Sequence, residues 1–227
     1  MKTTVLVTGA NRGIGFATAK LLAENYGMRV LMGVRDLHKG ERARGEIQGE
    51  TVLYQMNLEN PELLETQLKK IIFSENKIDV LINNAGILRQ GTLENCNEDD
   101  FQETVQVNFL APYTIIKAIL PVMRKNNYGR IVNISSNWGA FSEGLDGPGS
   151  YSVTKAALNA LTLSFSHSLP ESIKINSICP GWVKTNMGGA DAPLLPEEAA
   201  QSVAYYATLS AEGPSGGFFR GQRKLDW

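Results

Sequence analysis

The sequence predicts a single doubly wound α/β domain built on a parallel sheet of about seven strands. Short β-rich apolar runs alternate with longer helical patterns from one end to the other, which is the signature of βαβ units. A glycine-rich turn joins the first strand to the first helix, a place where open α/β sheets bind ligands. The chain has 227 residues and carries no linker, repeat or low-complexity tract, so one domain is expected over 1–227.

Residues 4–8, Thr-Val-Leu-Val-Thr, form an unbroken apolar run bounded by Gly9, as expected of a strand buried on both faces. Ile14, Ala17, Leu21 and Leu22 then recur at helical spacing over 14–26, and Gly27 sits where a helix stops. Strands follow at 30–34 and 51–56. Between Pro61 and Phe73, Leu63, Leu64, Leu68, Ile71 and Ile72 make one apolar helical face, with the proline at an early helical position. A strand at 80–82 precedes a long helix over about 100–125, and a strand at 130–134 precedes a Gly- and Ser-rich loop at 135–150. A helix over about 151–168 and a strand at 173–178 come next. A loop rich in Gly, Pro and Asn, a helix over about 197–210 and a last strand at 216–219 complete the pattern. Parallel strands need helical crossovers of this length.

At 43% hydrophobic and 20% charged residues, the composition is that of an ordinary globular protein and excludes the disordered and fibrous classes. Twenty-two basic against 23 acidic side chains leave a net charge of −1, without the basic surplus of duplex-binding domains, so no nucleic-acid partner is expected. No apolar run approaches the ~20 residues of a membrane span, and Met1-Lys2 leads straight into a short apolar run rather than a secretion leader. A cytoplasmic protein without a membrane partner is expected. Cys96 and Cys179 stand far apart and read as reduced, packed thiols. His38 and His167 have no acidic ligand at helical spacing, so no metal is expected. Glu98-Asp99-Asp100 opens a helix and answers its dipole. Gly-x-Ser-x-Gly is absent, which leaves a nucleophile-elbow hydrolase unsupported.

The glycines of Thr8-Gly9-Ala10-Asn11-Arg12-Gly13-Ile14-Gly15 have physical work to do between a strand and a helix. They allow a tight turn, close approach of the backbone to a pyrophosphate, and close packing of helix on strand. The helix N-terminus then offers unpaired N–H groups and a partial positive charge to phosphates. A glycine triplet alone would only mark a turn; its strand–loop–helix setting points to a dinucleotide in a Rossmann-type domain.

The spacing Gly-x-x-x-Gly-x-Gly, preceded by Thr8, resembles the glycine motif of the short-chain dehydrogenase/reductase family. Five further patterns fall in that family's order: Asn83-Asn84-Ala85-Gly86, Asn108, Ser135-Ser136, Tyr151-Ser-Val-Thr-Lys155 and Pro180-Gly181. The match runs from about residue 3 to 185. Gly213 to Trp227 is similar, more weakly, to the carbonyl-reductase-like members. The resemblance implies cofactor contacts from Gly9, Asn11, Arg12, Gly13, Ile14 and Gly15, from Asn83, Ala85 and Gly86, and from Pro180, Gly181, Val183 and Thr185.

An NAD enzyme ends its second strand with an acid that holds the adenosine ribose. Here Val34 fills that place and Arg35 follows, with Arg12 on the same side. Two guanidinium groups match a 2′-phosphate in geometry and charge, so NADP(H) is the expected cofactor. Asp36 is the competing signal, since a slightly longer strand would turn it toward the ribose. Where the family carries an acid for the adenine amine, this chain has Asn57-Leu58, whose amide oxygen can still accept that bond.

Tyr151 and Lys155 are four residues apart and share one helix face. A phenol near pKa 10 is a poor acid or base at neutral pH, and a nearby ammonium together with the positive nicotinamide of an oxidised cofactor lowers that value. Tyr151 is then the expected proton donor to a carbonyl oxygen, with Ser136 bonded to the same oxygen. By resemblance Lys155 also binds the nicotinamide ribose, and Asn108 holds a water against the lysine. Alone, Tyr-x-x-x-Lys is usually a solvated pair and Ser-Ser a turn. Their joint placement after successive strands changes that reading.

The expected activity is NADP(H)-dependent interconversion of a carbonyl and an alcohol. Reduction of a C=C or C=N bond, or a regulatory binding role without chemistry, are the alternatives. Residues 185–198 are expected to cover a small-molecule substrate, with Trp138, Phe141, Leu145, Trp182 and Met187 toward an apolar wall. Only 14 residues separate Ser136 from Tyr151, leaving no room for the helical insertion of monomeric carbonyl reductases. A homodimer or homotetramer built on the 151–168 and 100–125 helices is therefore expected.

Overall fold

The computed structural model describes residues 2–227. Eight strands form one sheet: β1 (Thr4–Thr8), β2 (Arg29–Val34), β3 (Thr51–Gln55), β4 (Val80–Asn83), β5 (Gly129–Ile134), β6 (Ile173–Cys179), β7 (Gly217–Arg220) and β8 (Arg223–Leu225). Their order is β3-β2-β1-β4-β5-β6-β7-β8, parallel throughout except for the antiparallel β7–β8 pair. The chain winds outward from β1 to β3, then returns beside β1 with β4, so the switch point lies between β1 and β4.

Alternation along each buried strand supplies two cores. Val5, Val7, Val30, Met32, Val80 and Ile82 face α1 (Gly13–Glu24), α2 (Leu37–Gly45) and α7 (Pro196–Ala207). Leu6, Leu31, Leu81, Ile131 and Ile175 face α3 (Pro61–Glu75), α5 (Ala111–Lys125) and α6 (Gly149–Ser166). Neighbouring residues thus serve opposite faces, as the period of two demands.

Three elements differ from the sequence expectation. β8 adds an eighth strand; of its three residues only Leu225 is buried, so it leaves no apolar pattern to read. α2 is a charged helix, Leu-His-Lys-Gly-Glu-Arg-Ala-Arg-Gly, whose buried residues are the small Gly40 and Ala43. Without large apolar residues its periodicity is silent. The long helix read at about 100–125 is α4 (Glu98–Val105), a π-helical turn at Gln106–Leu110, and α5.

Together Glu98–Lys125 make a 28-residue helical run with mean hydropathy 1.3 in its most apolar window, long enough by composition to cross a bilayer. This corrects the expectation that no stretch reaches that length. Of that window 44% is buried inside the domain, where Ile115, Ile116 and Ile119 pack in the sheet's second core.

Candidate active site

The C-terminal ends of the parallel strands gather at one edge of the sheet, and a cleft of about 980 Å³ opens there. Its first wall is the glycine loop. Gly9 and Gly13 have φ of 67° and 53°, the left-handed region that glycine occupies without strain. Thr8 Oγ1 accepts from the N–H groups of Asn84 and Ala85, both at 3.0 Å, and Asn84 Nδ2 donates to the Thr8 carbonyl at 2.8 Å. The loop after β1 is thereby laced to the loop after β4. Arg12 precedes α1 in extended backbone, no side chain caps that helix, and no acid lies in its first turn. Its first N–H groups therefore remain free for an anion.

At the adenosine end, β2 stops at Val34, and Arg35 lines the cleft. The Asp36 carboxylate also lines the cleft, and its Oδ1 accepts from the Lys39 N–H at 3.1 Å, capping α2. Arg35 pairs with Glu59, and Glu59 and Lys39 also lie on the cleft wall. Neither was found from the sequence. Asn57 Oδ1 accepts from the Glu59 N–H at 3.0 Å, forming a local turn, and Asn57 is not among the cleft-lining residues. Leu58 is.

Tyr151 and Lys155 stand one turn apart on α6, 7% and 3% exposed. The Lys155 ammonium lies 5.4 Å from the Tyr151 ring centre and donates to the Ile134 carbonyl at 2.7 Å. Burial pushes the Tyr151 phenol above its ordinary value, while the Ser136 hydroxyl pulls the other way. Burial also lowers Lys155 to about 8. Desolvation is the largest of the influences on the phenol. Ser136 begins a 3₁₀ turn over Asn137–Gly139, its hydroxyl accepting from the Trp138 N–H at 3.2 Å. Trp138 meets Tyr151 edge-on, with ring centres 6.1 Å apart.

Asn108 sits in the π turn, fully buried, and its side chain holds two residues. Oδ1 accepts from the Ile87 N–H at 2.9 Å, while Nδ2 donates to the Ile87 carbonyl at 2.8 Å and to Thr154 Oγ1 at 3.2 Å. It ties the loop after β4 to α6 without itself lining the cleft. Asn83 lies outside the cleft too: its Nδ2 donates to Asn133 Oδ1 at 2.8 Å, and Asn133 donates in turn to Thr162 on α6 at 2.9 Å. The neighbour Asn84, one residue along the strand end, faces the cleft instead.

Pro180, Gly181, Val183 and Thr185 line the far wall together with Trp182 and Met187. Val183 bridges to Leu194, and Trp182 Nε1 donates to the Gly188 carbonyl at 2.7 Å, closing the 182–194 loop on itself. Ala85, Gly86, Asn11 and Ile14 complete the lining predicted from the sequence, whereas Gly15 lies behind it. A Cβ on Gly86 would stand 3.5 Å from Lys155 Nζ, so this glycine keeps the floor of the cleft low. A glycine cradle, an uncapped helix start and two arginines at one end fit a phosphorylated dinucleotide. Among the described residues no group of three or more His, Cys, Asp or Glu is placed to hold a metal.

The topology and the glycine loop define a Rossmann-type α/β domain. A profile of the short chain dehydrogenase family matches residues 3–193, and the chain belongs to that family. It is 28% identical to carbonyl reductase (NADPH) 1 of Mus musculus, over 98% of this chain and 97% of that protein. That alignment runs over 271 positions against 227 residues here, so the mouse protein carries segments without a counterpart in this chain. Identity is 32% with a 3-oxoacyl-(acyl-carrier-protein) reductase of Synechocystis sp., over 96% of this chain and 92% of the other. The NADPH-bound carbonyl reductase from chicken fatty liver superposes with a TM-score of 0.84 at 28% identity, covering 100% of both chains.

Proposed function

We propose that this protein is an NADPH-dependent carbonyl reductase that converts an aldehyde or ketone to an alcohol. The observation that carries the reading is the Tyr151–Lys155 pair, with Ser136 beside it, in a cleft whose nucleotide end presents Arg12 and Arg35 and whose Asp36 is already used as a cap. Bound NADPH supplies the hydride. Tyr151, kept protonated by burial, donates its proton to the carbonyl oxygen. The Ser136 hydroxyl donates to the same oxygen and orients it. The Lys155 ammonium faces the phenolate left behind and binds the nicotinamide ribose. Asn108 holds Ile87 and α6 in register, a positioning role. Glu59 pairs with Arg35 at the cleft mouth, where Arg35 would hold a 2′-phosphate.

The substrate end is lined by Leu88, Trp138, Trp182 and Met187, which favours an apolar carbonyl compound. The loop 185–198 covers that end. Leu110 in the π turn, Tyr113 on α5 and Val153 on α6 are each about two-fifths exposed, which supports pairing with a second copy. Cys96 and Cys179 are free thiols, which supports a reducing, cytoplasmic setting. Loss of NADPH absorbance with a panel of aldehydes, ketones and activated alkenes tests the reading. Stoichiometric oxidation with ketones or aldehydes is expected; turnover of alkenes alone, or of nothing, overturns it.

A further inference from the structure

The segment between Ser136 and Tyr151 carries Asn137 and Trp138 into the cleft, yet much of its anchorage comes from the far end of the chain. A second 3₁₀ turn, Phe141–Glu143, follows the first. The Ser142 N–H donates to the Trp227 carbonyl at 3.1 Å, and the Ser142 hydroxyl donates to the Asp226 carbonyl at 2.9 Å. Glu143 pairs with Arg220 of β7 at 2.8 Å. Between the two turns, Ala140 is fully buried beside Cys179, Phe218 and Leu225, and Trp227 packs against this small cluster. The Trp227 and Phe218 rings stack, with centres 5.9 Å apart and planes within 14°.

We infer that the β7–β8 hairpin and Trp227 act as a clamp that positions the 137–143 turns, and through them Trp138, against Tyr151. The inference rests on the proposed reduction at that site and adds Trp227 as a positioning residue for the substrate wall. Chain geometry supports it. The turns bond to two backbone carbonyls and one arginine of the hairpin region, so releasing Trp227 frees Ala140 and Ser142 together. Trp138 is only two residues from Ala140, and Gly147 presses on its other side: a Cβ there would stand 2.4 Å from the indole. Trp138 is therefore held between a rigid glycine contact and a turn whose far side depends on the hairpin. The nucleotide end, formed by residues 9–59, shares none of these contacts.

The experiment uses the full chain with Trp227→Ala, Trp227→Phe and the surface double variant Ser142→Ala/Glu143→Gln. Amide hydrogen exchange is followed over 137–147, and the carbonyl KM, kcat and NADPH Kd are measured in parallel. Trp227→Ala is expected to speed exchange over 137–147 at least tenfold and raise the carbonyl KM at least fivefold, with kcat changed less and NADPH Kd within twofold. Trp227→Phe, which keeps the stacking, restores both to within about twofold of the starting protein. The double variant moves exchange and KM in the same direction by a smaller factor, and decides the matter if Trp227→Ala does not fold. Unchanged exchange over 137–147 overturns the clamp, as does a loss of NADPH affinity equal to the rise in KM. A protein that reduces no carbonyl would sink the proposed activity, while exchange would still decide the clamp.

Discussion

Asp36 accepts a hydrogen bond from the backbone N–H of Lys39 at 3.1 Å and so begins α2 at the rim of the cleft. That bond engages one oxygen of the acid, which shares the opening with Arg35, Arg12 and Lys39, so cations outnumber it there.

Arg35→Asp should therefore raise the KM for NADPH at least tenfold and improve the use of NADH, since it removes a phosphate partner and adds a repelling acid. Steady-state kinetics with both cofactors check this. Unchanged NADPH kinetics would mean that the phosphate lies elsewhere.

Replacing Tyr151 with Phe should abolish carbonyl turnover while NADPH binding stays within a few-fold. The hydroxyl moves a proton and adds little to cofactor affinity. Fluorescence titration beside an activity assay separates the two, and activity within a few-fold of the parent would refute the proton-donor role.

Alkaline pH should slow reduction before Tyr151 itself ionises. Lys155 loses its charge near pH 8, whereas burial holds the Tyr151 proton beyond its ordinary range. kcat/KM is expected to fall as pH rises through about 8. Stability moves the other way. The folded lysine releases its proton at about 8 and the unfolded one at about 10.4, so the unfolded chain binds more protons between those values. The lysine's contribution to stability accordingly rises with pH across that window. Denaturant midpoints from pH 7 to 10.5 should show the rise in the parent and lack it in Lys155→Met. A flat activity profile from pH 7 to 10 would contradict the assignment of Lys155.

Gly15→Ala should damage both fold and cofactor site. The added methyl would stand 2.3 Å from Asn84 Nδ2 and 2.4 Å from the Gly9 carbonyl, so α1 must retreat from the loop. Overpacking of this kind costs about 1–3 kcal/mol. A Tm lowered by several degrees together with weaker NADPH binding is expected; a variant equal to the parent in both would show that the loop is more yielding than its contacts imply.

Light scattering at micromolar concentration should report at least twice 24.8 kDa, the mass of one chain. Leu110, Tyr113 and Val153 are the exposed apolar groups available for pairing, and Tyr113→Glu should shift the mass downward. A clean monomer mass for the parent would refute the pairing.

Much of this protein is legible in its sequence because the determinants are local. Unbroken runs such as Thr4–Thr8 mark strands buried on both faces, and glycines at 9, 13 and 15 mark a loop that must turn tightly and pack closely. Tyr151 and Lys155 share a face through helical spacing alone. Tertiary structure decided the rest. Asn84 rather than Asn83 reaches the cleft, because the hydrogen bond to Asn133 turns Asn83 into the core. Asn57 is spent on Glu59, and Trp227 lies against a turn more than 80 residues earlier in the chain. Tyr151 holds its proton more tightly than a phenol beside a lysine would suggest, since the surrounding chain excludes water from it. Such outcomes depend on which distant segment supplies a partner or removes solvent, and a local pattern of residues contains neither.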